Sequence, residues 1–271
     1  MLKEEAKIRR AGIIAGSGKL PVLIGEEMKK AGIEPVFFCS HSLETLELAG
    51  ERVFQFKLGE LAKLTEKLLA EGIEELTLAG SFAKLDFFNA EFDGAWQKVL
   101  ARLTDFQNET VLKALIRHFN ENGIEVASQG KYIEHYIAGE GSIAGSITNE
   151  QLLDVQFGYK TGKILADHDI SQTLVVKRRA VIAVEGIDGT NATLRRAGSL
   201  AKGAVACKVS STNQDWRLDV PTVGLETVKT AVESGISVLV LEAHRVFLLD
   251  REECISLADA NGMAIYGYTE R

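Results

Sequence analysis

Short apolar runs alternate with stretches of helical periodicity along the first half of the chain. The run from Ile8 to Ala15 leads into a glycine-containing turn, and apolar positions from Leu20 to Lys30 then recur at helical spacing. The alternation continues with strand-like Pro35 to Ser40, strand-like Val53 to Phe56, helical Glu60 to Ala70 and strand-like Leu76 to Ala79. Repeated strand and helix units predict an α/β fold with a parallel sheet covered on both faces.

A segment rich in glycine and serine separates the two halves of the chain. Before it, Thr104 or Asp105 is expected to cap a helix that runs through Phe119, and a strand from Ile124 to Ala127 follows. The segment itself, Gly139 to Ser146, has no amphipathic period. We therefore predict an N-terminal domain of residues 1–138 and a C-terminal domain of residues 139–271.

The second half repeats the alternation, which predicts a second α/β domain. The predicted elements are helix Glu150 to Ile164, strands Thr173 to Val176, Val181 to Glu185 and Val205 to Val209, helix Gly224 to Ser234, strand Val238 to Leu241, a hairpin around Ala243 to Leu249, helix Glu252 to Asn261 and strand Ala264 to Tyr266.

The composition is that of a globular enzyme, with 46% hydrophobic residues and a net charge of −7. That acidic balance argues against a nucleic-acid-binding protein, and the basic run Lys177 to Arg179 is interpreted as a solvated face. No apolar run approaches the roughly 18 residues of a membrane span, and the charged N-terminal sequence lacks the features of a secretory signal. We therefore expect a cytoplasmic protein. Its three widely spaced cysteines indicate neither a disulfide framework nor a metal site.

The first candidate site is the glycine turn Gly16, Ser17 and Gly18. Glycines at this point allow backbone N–H groups and a helix N-terminus to approach a phosphate. A dinucleotide fingerprint needs a third glycine, and Pro21 stands where that residue would fall, so an NAD-binding oxidoreductase is disfavoured. A nucleotide contact and a simple tight turn remain equally acceptable interpretations.

The second candidate site is the turn that follows a predicted strand at Val184. It contains Glu185, Asp188, Gly189 and Thr190, and α/β sheets expose ligand-binding side chains at such turns. A plain turn would explain the glycines and small residues. It would not explain why Glu185 ends an otherwise apolar strand.

The third candidate site lies between Lys208 and Gly224. Its polar residues are Gln214, Asp215, Arg217 and Asp219, and they precede a helix expected to begin at Pro221. An isolated Asp at position 219 would be read as a helix cap. Its polar neighbours favour a catalytic role instead.

These residue types suit the hydrolysis of a phosphoanhydride. That reaction needs a divalent cation held by hard oxygen ligands, a positioned water, and cations that stabilise charge on the phosphoryl oxygens. Asp188, Asp215 and Asp219 are candidates for the carboxylate roles, and Arg217 and Lys208 for the cationic ones. No HExxH, GxSxG or GxxxxGK[ST] sequence occurs, which disfavours zincin, α/β-hydrolase and P-loop chemistry.

At these residues the chain resembles the LpxI-type UDP-2,3-diacylglucosamine pyrophosphatase family of lipid A biosynthesis. The resemblance covers nearly the whole chain and is carried by three blocks, Ala11 to Pro21, Val181 to Asn191 and Cys207 to Gly224. It implies a Rossmann-like N-terminal domain with a parallel sheet, a distinct α/β C-terminal domain and a substrate held between them. The implied reaction cleaves the pyrophosphate bond of UDP-2,3-diacylglucosamine to UMP and 2,3-diacylglucosamine 1-phosphate.

The resemblance also implies Mg²⁺ dependence and a catalytic role for Asp219, with Gln214, Asp215 and Arg217 beside it. From this and from the residue types argued above, we expect Asp219 and Asp188 to hold Mg²⁺. The expected substrate-binding residues are Gly16, Ser17, Gly18, Gln172, Glu185, Gly189, Thr190, Lys208 and Gln214. A homodimer is implied, and the lipid substrate implies peripheral contact with the inner membrane.

Three departures from the family pattern leave a second interpretation open. Asn191 stands where the family usually has Asp, Ser171-Gln172 where it has Gly-Gln, and Gln107-Asn108-Glu109 where it has Gly-Asp-Asp. Two of these departures remove a carboxylate. The alternative is a paralogue that binds a nucleotide sugar without catalysis or with altered specificity.

Overall fold

The computed structural model of the protein describes residues 9–40, 48, 50–80, 90–103, 105, 108–218 and 220–270. The chain divides into two compact units. The first comprises Met1–Glu134 and Asp215–Asp219, and the second comprises His135–Gln214 and Val220–Arg271. The short segment 215–219 therefore belongs to the first unit, although it lies far beyond the predicted domain boundary at residue 138.

Five parallel strands form the sheet of the first unit. They are β1 (Arg10–Ala15), β2 (Glu34–Ser40), β3 (Arg52–Phe56), β4 (Glu75–Ala79) and β5 (Glu125–Val126), in the order β3-β2-β1-β4-β5. The central strands are apolar and buried, as Ile13 and Phe37 illustrate, because helices cover both faces. The predicted α/β fold with a parallel first sheet is confirmed.

Four helices of the first unit are described. They are α1 (Leu20–Lys30), α2 (Leu61–Ala70), α3 (Gly94–Leu100) and α4 (Asn108–Glu121). The sequence did not predict α3, which Asp93 caps by accepting hydrogen bonds from the N–H groups of Ala95 and Trp96. Trp96 is buried in the core of this unit. Helix α4 is described from Asn108 onward, and Thr104 and residues 106 and 107 lie outside the described residues, so the cap at Thr104 or Asp105 stays a prediction.

The second unit contains a six-stranded mixed sheet and a separate pair of short strands. Its strands are β6 (Gly141–Ala144), β7 (Thr173–Lys177), β8 (Ala180–Val184), β9 (Ala204–Lys208), β10 (Thr222–Val223), β11 (Ile236–Glu242), β12 (Phe247–Leu248) and β13 (Ala264–Tyr268). The large sheet has the order β6-β13-β11-β9-β7-β8. Its three central strands β13, β11 and β9 are parallel, and the outer strands are antiparallel to their neighbours.

Helices cover both faces of the large sheet. They are α5 (Asn149–Asp167), α6 (Gly189–Leu200), α7 (Leu225–Ser234) and α8 (Arg251–Ala260). Val155 of α5 packs with Val205 and Val240 on one face, while residues of the other three helices join the core on the opposite face. A Cβ atom at Gly158 of α5 would lie 2.5 Å from the Sγ of Cys207, so glycine permits this close approach.

The segment Gly139 to Ser146, predicted as the boundary between the domains, contains the edge strand β6, which pairs with β13. Two predictions for the second half were wrong. The segment Ala243 to Leu249 is not a hairpin, because β12 pairs in parallel with β10. Pro221 does not begin a helix, since α7 begins at Leu225 with Gly224 as its N-cap. No helix among the described residues is long and apolar enough to cross a membrane.

Candidate functional site

The predicted glycine turn lies at the carboxyl edge of the first sheet. Gly16 follows β1 and donates its N–H to the carbonyl of Ala79 at the end of β4, at 2.7 Å. Gly16 is buried, whereas Ser17 and Gly18 are exposed, and Gly18 has φ of 94°. The strand order reverses between β1 and β4, and α/β sheets bind ligands at the carboxyl ends of strands beside such a reversal.

The segment that carries Asp215 and Arg217 is anchored to the same edge of that sheet. The N–H of Gln129 donates to the carbonyl of Trp216 at 2.8 Å, and the side-chain amide of Gln129 donates to the carbonyl of Leu78 at 2.7 Å. Leu218 is buried in the core of the first unit. The glycine turn and the Asp215 segment are therefore both tied to the end of β4, although they are far apart in sequence.

Asp215 and Arg217 form a forked ion pair. The Nε of Arg217 donates to Oδ1 of Asp215 at 2.9 Å, and its Nη2 donates to Oδ2 at 2.6 Å. These hydrogen bonds hold the pKa of Asp215 below its usual value and raise that of Arg217. Nη1 of Arg217 makes no hydrogen bond to a described residue. Asp215 thus orients the guanidinium, which keeps one nitrogen available for an anion.

Two other residues of the predicted catalytic segment are placed differently. Asp219 lies outside the described residues. Gln214 belongs to the second unit, where its N–H donates to the carbonyl of Ser211 at 3.3 Å. The structure therefore brings together Asp215 and Arg217 within this segment.

A polar cluster in the second unit unites three predicted residues. Lys208 ends β9, Glu185 follows β8, and Thr190 lies in the first turn of α6. Nζ of Lys208 donates to Oγ1 of Thr190 at 2.8 Å, and that hydroxyl donates to Oε1 of Glu185 at 2.7 Å. Thr173, at the start of β7, adds a second hydroxyl 3.4 Å from Oγ1 of Thr190. We call these four residues the Lys208 cluster.

The Lys208 cluster combines burial with incomplete hydrogen bonding. Lys208 is only 6% exposed, and its Nζ lies 3.6 Å from Oε2 of Glu185, beyond hydrogen-bonding distance. Within the part of the chain that the structure describes, Oε2 of Glu185 and Oδ1 of the neighbouring Asn191 are both buried without a hydrogen-bond partner. Buried polar atoms are normally satisfied by protein, water or ligand. The cluster therefore has an ammonium and one carboxylate oxygen available for a polar ligand.

Two further predicted residues lie near the end of the sheet that carries this cluster. The carbonyl of Gln172 accepts a hydrogen bond from the N–H of Val209 at 2.9 Å, which places Gln172 beside the end of β9. Gly189 begins α6 with φ of 80°, a conformation that favours glycine. Its carbonyl accepts a hydrogen bond from Thr193 at 3.1 Å.

Asp188 forms an ion pair with Arg196 and makes no described contact with the Lys208 cluster. Its carboxylate is paired with Arg196, and the N–H of Gly186 donates to Oδ1 at 3.0 Å. The hydrogen bond from Arg196 lowers the pKa of Asp188. Among the described residues, no group of three His, Cys, Asp or Glu side chains is placed to hold a metal ion. The carboxylates of the described residues therefore do not already form a group of three that could hold Mg²⁺.

Sequence reasoning missed a buried network around Glu242 at the end of β11. Oε1 of Glu242 accepts hydrogen bonds from Lys163 at 2.8 Å and Tyr159 at 3.2 Å, and Oε2 accepts from the N–H and hydroxyl of Ser210 at 2.7 and 2.9 Å. Glu242 is 2% exposed. Like Glu185, Glu242 is an acidic residue at the end of an otherwise apolar strand. A search of the sequence for such residues would have identified it. The network fixes the chain just beyond Lys208.

Comparison with known proteins identifies the family. The model of the LpxI N-terminal domain matches residues 10–136, and that of the LpxI C-terminal domain matches residues 139–266. The chain belongs to the LpxI family. This confirms the resemblance drawn from the sequence. A relative from Caulobacter vibrioides, named UDP-2,3-diacylglucosamine pyrophosphatase LpxI, is 28% identical over 273 residues, which cover 96% of this chain and 98% of the relative.

Similarity to solved structures is much weaker than the family match. The biotin carboxylase subunit of pyruvate carboxylase is 12% identical, with a TM-score of 0.29, and the match covers 67% of this chain and 38% of that one. An N-terminal ketoreductase from the macrolactin assembly line is 10% identical, with a TM-score of 0.24, over 98% of this chain and 55% of that one. Neither likeness supports a conclusion about function.

Proposed function

We propose that this member of the LpxI family hydrolyses the pyrophosphate bond of UDP-2,3-diacylglucosamine, giving UMP and 2,3-diacylglucosamine 1-phosphate in lipid A biosynthesis. The observation that carries the proposal is the match of both LpxI domain families along the chain. The Caulobacter relative, which aligns over nearly its full length, is named for action on the same substrate.

The polar groups described above suit the cleavage of a phosphoanhydride. During the reaction a water oxygen bonds to phosphorus while the bond to the bridging oxygen breaks, and negative charge spreads over the phosphoryl oxygens. The ammonium of Lys208 and the oriented guanidinium of Arg217 are cations of the kind that stabilise such charge. The exposed Gly18 lies just before α1, and glycine at such a turn lets a phosphate approach the backbone closely.

The roles of Asp219 and Mg²⁺ are part of the proposal and rest on the sequence resemblance. Mg²⁺ at phosphate sites is commonly held by one or two carboxylates together with the phosphates of the substrate, so a ready-made cluster is not required. Asp219 is the carboxylate proposed to hold the ion or to orient the water. Asp188 suits that role less well, because its carboxylate is already paired with Arg196.

The decisive experiment is turnover of the purified protein with detergent-dispersed UDP-2,3-diacylglucosamine. We expect UMP and the sugar 1-phosphate to appear with Mg²⁺, and we expect EDTA to abolish the reaction. Binding of the substrate without products would favour the non-catalytic paralogue instead. Water attack on the sugar-side phosphorus is proposed from the resemblance, and it predicts that ¹⁸O from labelled water enters the sugar phosphate and not UMP.

The proposal extends to the assembly and location of the protein. We propose a cytoplasmic homodimer, as the family resemblance implies. Sedimentation equilibrium at micromolar concentration tests the dimer, since a monomer mass would contradict it. Fractionation of cells that produce the protein tests the location.

A further inference from the structure

Two arginines form the turn between β7 and β8. Lys177 pairs with Ala180, so Arg178 and Arg179 are the two turn residues. Both have positive φ, at 51° and 59°. Two-residue hairpin turns with positive φ at both positions favour Asn-Gly, because other side chains are strained in this region. The chain therefore keeps two arginines where its backbone would prefer smaller residues.

Backbone hydrogen bonds to a buried carboxylate hold the turn in place. Asp154 of α5 is buried, and its two carboxylate oxygens accept hydrogen bonds from the N–H groups of Arg178 at 2.9 Å and Arg179 at 2.7 Å. Since this carboxylate fixes the backbone, the turn does not depend on the arginine side chains, and both arginines are exposed.

Among the described residues, the guanidinium groups of this turn form no ion pair with a buried carboxylate, since Asp154 contacts only the backbone N–H groups. Arg178 lies 3.9 Å from exposed Glu150, a type of pair that contributes little in water, and Arg179 has no acidic partner among the described residues. Lys177 donates to the backbone carbonyl of Lys202, and Lys202 donates to a backbone carbonyl in turn. We call Lys177, Arg178, Arg179 and Lys202 the basic tip. It concentrates positive charge on a chain whose net charge is −7.

Exposed apolar side chains are close in sequence to residues of the basic tip and to Asp154. Leu153 adjoins Asp154 and is 47% exposed, Val181 lies two residues beyond Arg179 at 43%, and Leu200 lies two residues before Lys202 at 67%. The turn itself lies at the end of the sheet where β7 ends and β9 begins. The Lys208 cluster lies at the opposite end of β9. Basic and apolar side chains exposed together are typical of surfaces that bind anionic membranes.

We propose that the basic tip docks the protein on an anionic lipid surface. Guanidinium and ammonium groups would contact lipid phosphates, while Leu153, Val181 and Leu200 would enter the headgroup region. The choice of a lipid surface over a soluble anion rests on the proposed function, because the substrate there carries two acyl chains. Docking at the basic tip would bring the protein to the surface in which that substrate resides.

The test is co-sedimentation with vesicles of 30% phosphatidylglycerol and 70% phosphatidylethanolamine. We expect the wild type to bind these vesicles, to be released by 0.5 M salt, and not to bind phosphatidylcholine vesicles. The variant Arg178→Asn/Arg179→Gly should bind roughly tenfold or more weakly, because two cations are lost from the surface. Its melting temperature should be unchanged or higher, because Asn-Gly suits this turn better than Arg-Arg.

A matched control separates docking from a general effect of charge. Lys63→Gln/Lys98→Gln removes two exposed cations from helices of the first unit and should bind vesicles like the wild type. Equal vesicle binding by the turn variant and the wild type would overturn the proposal. Release of the wild type by millimolar inorganic phosphate at constant ionic strength would also overturn it, since a soluble-anion site would then explain the basic tip.

The failure of this proposal can be distinguished from failure of the proposed function. Turnover of detergent-dispersed substrate does not require docking, so the wild type and the turn variant should be equally active in that assay. With substrate embedded in the anionic vesicles, the variant should be roughly tenfold or more slower. A protein that is active in detergent but shows no vesicle binding would contradict the docking proposal alone.

Discussion

The ammonium of Lys208 donates a hydrogen bond of 2.8 Å to the hydroxyl of Thr190. Because that hydroxyl must then direct its own proton elsewhere, it donates to the carboxylate of Glu185. The three groups form an ordered chain from cation to hydroxyl to anion. This arrangement fixes the position of the Lys208 ammonium, which a flexible side chain would not otherwise maintain.

The first prediction separates the structural and functional roles of Lys208. Lys208→Met should destabilise the fold by about 3 kcal/mol, because Glu185 is left as a buried charge without its cation. Lys208→Met/Glu185→Gln should recover most of that stability, because no unpaired charge remains. Turnover per folded molecule should stay about a hundredfold low in both variants, because the cation proposed to stabilise phosphoryl charge is absent.

Denaturant unfolding and turnover on the same preparations check this prediction. Thr190→Ser, which keeps the hydroxyl, serves as a control that should retain most of the stability and activity. Recovery of full turnover by the double variant would show that Lys208 serves only the fold.

The second prediction concerns the pH dependence of stability that Asp215 confers. Hydrogen bonds from Arg217 depress the pKa of Asp215 in the folded state. The resulting stabilisation is fully present above the unfolded pKa of about 3.9 and is lost as pH falls through the lower folded pKa. The melting temperature of Asp215→Asn should therefore lie below that of the wild type from pH 7 to 5, and the gap should shrink below about pH 4.

Melting curves between pH 7 and 3 provide the measurement. Glu66→Gln, which removes an exposed carboxylate from α2, controls for the loss of one negative charge. A gap that stays constant down to pH 3 would contradict the role assigned to the ion pair.

The third prediction is that Arg217→Lys lowers kcat/KM by about tenfold or more while leaving the fold intact. An ammonium on Lys can satisfy Asp215 but cannot also present a second fixed nitrogen, whereas the guanidinium has Nη1 available. Hydrogen bonds to charged groups contribute about 1.5–3 kcal/mol, which sets the expected scale. Steady-state kinetics with a melting curve on each sample would test it, and unchanged kinetics would remove Arg217 from the proposed site.

The regular elements of both units were predictable from periodicity, whereas several pairings were not. Helix α1 and the strands of the first sheet follow directly from apolar spacing. The edge strand β6 was missed because it has only four residues and begins with glycine. The pairing of β10 with β12 joins two-residue strands that are remote in sequence, and local patterns carry no information about such partners.

In the candidate site, too, individual residues could be found from local sequence patterns, whereas contacts between distant segments could not. Glu185 was found because it ends an apolar strand, and Thr190 follows in the same candidate segment. Their grouping with Lys208 was not predicted, because Lys208 belongs to a separate candidate segment. The anchoring of Trp216 to Gln129 could not be foreseen, because no pattern in the sequence relates the two segments. The expected helix at Pro221 failed because Thr222 and Val223 form a strand instead.

The fourth prediction concerns the buried network at Glu242. Glu242→Gln should destabilise the fold by about 3 kcal/mol, because an amide offers one acceptor oxygen in place of two and no charge for Lys163. Whichever way the amide is turned, its NH₂ group faces a donor. Tyr159→Phe, which removes the hydrogen bond of 3.2 Å to Glu242 and leaves the charge pair with Lys163, should cost about 1 kcal/mol. Urea unfolding measures both, and equal losses would contradict the central role of the carboxylate.

The last prediction is that Asp219→Ala abolishes turnover without unfolding the protein. Asp219 lies outside the described residues, and its proposed role rests on its sequence neighbours and on the family resemblance. If Asp219 holds Mg²⁺ or orients the water, its loss removes an interaction made mainly in the transition state. Turnover should then fall by roughly a hundredfold or more while affinity for the substrate is largely kept.

The structure weakens the alternative role of Asp219 as a helix cap. The next helix, α7, begins at Leu225 and has Gly224 as its N-cap, five residues beyond Asp219. Loss of a cap would have cost about 1 kcal/mol of stability with little change in the rate per folded molecule. Melting temperature, substrate affinity and turnover should therefore be measured on one preparation of Asp219→Ala, with Asp219→Asn as the isosteric control. A fully active Asp219→Ala protein would remove Asp219 from the catalytic site, whereas an inactive protein that melts normally and still binds substrate would place it there.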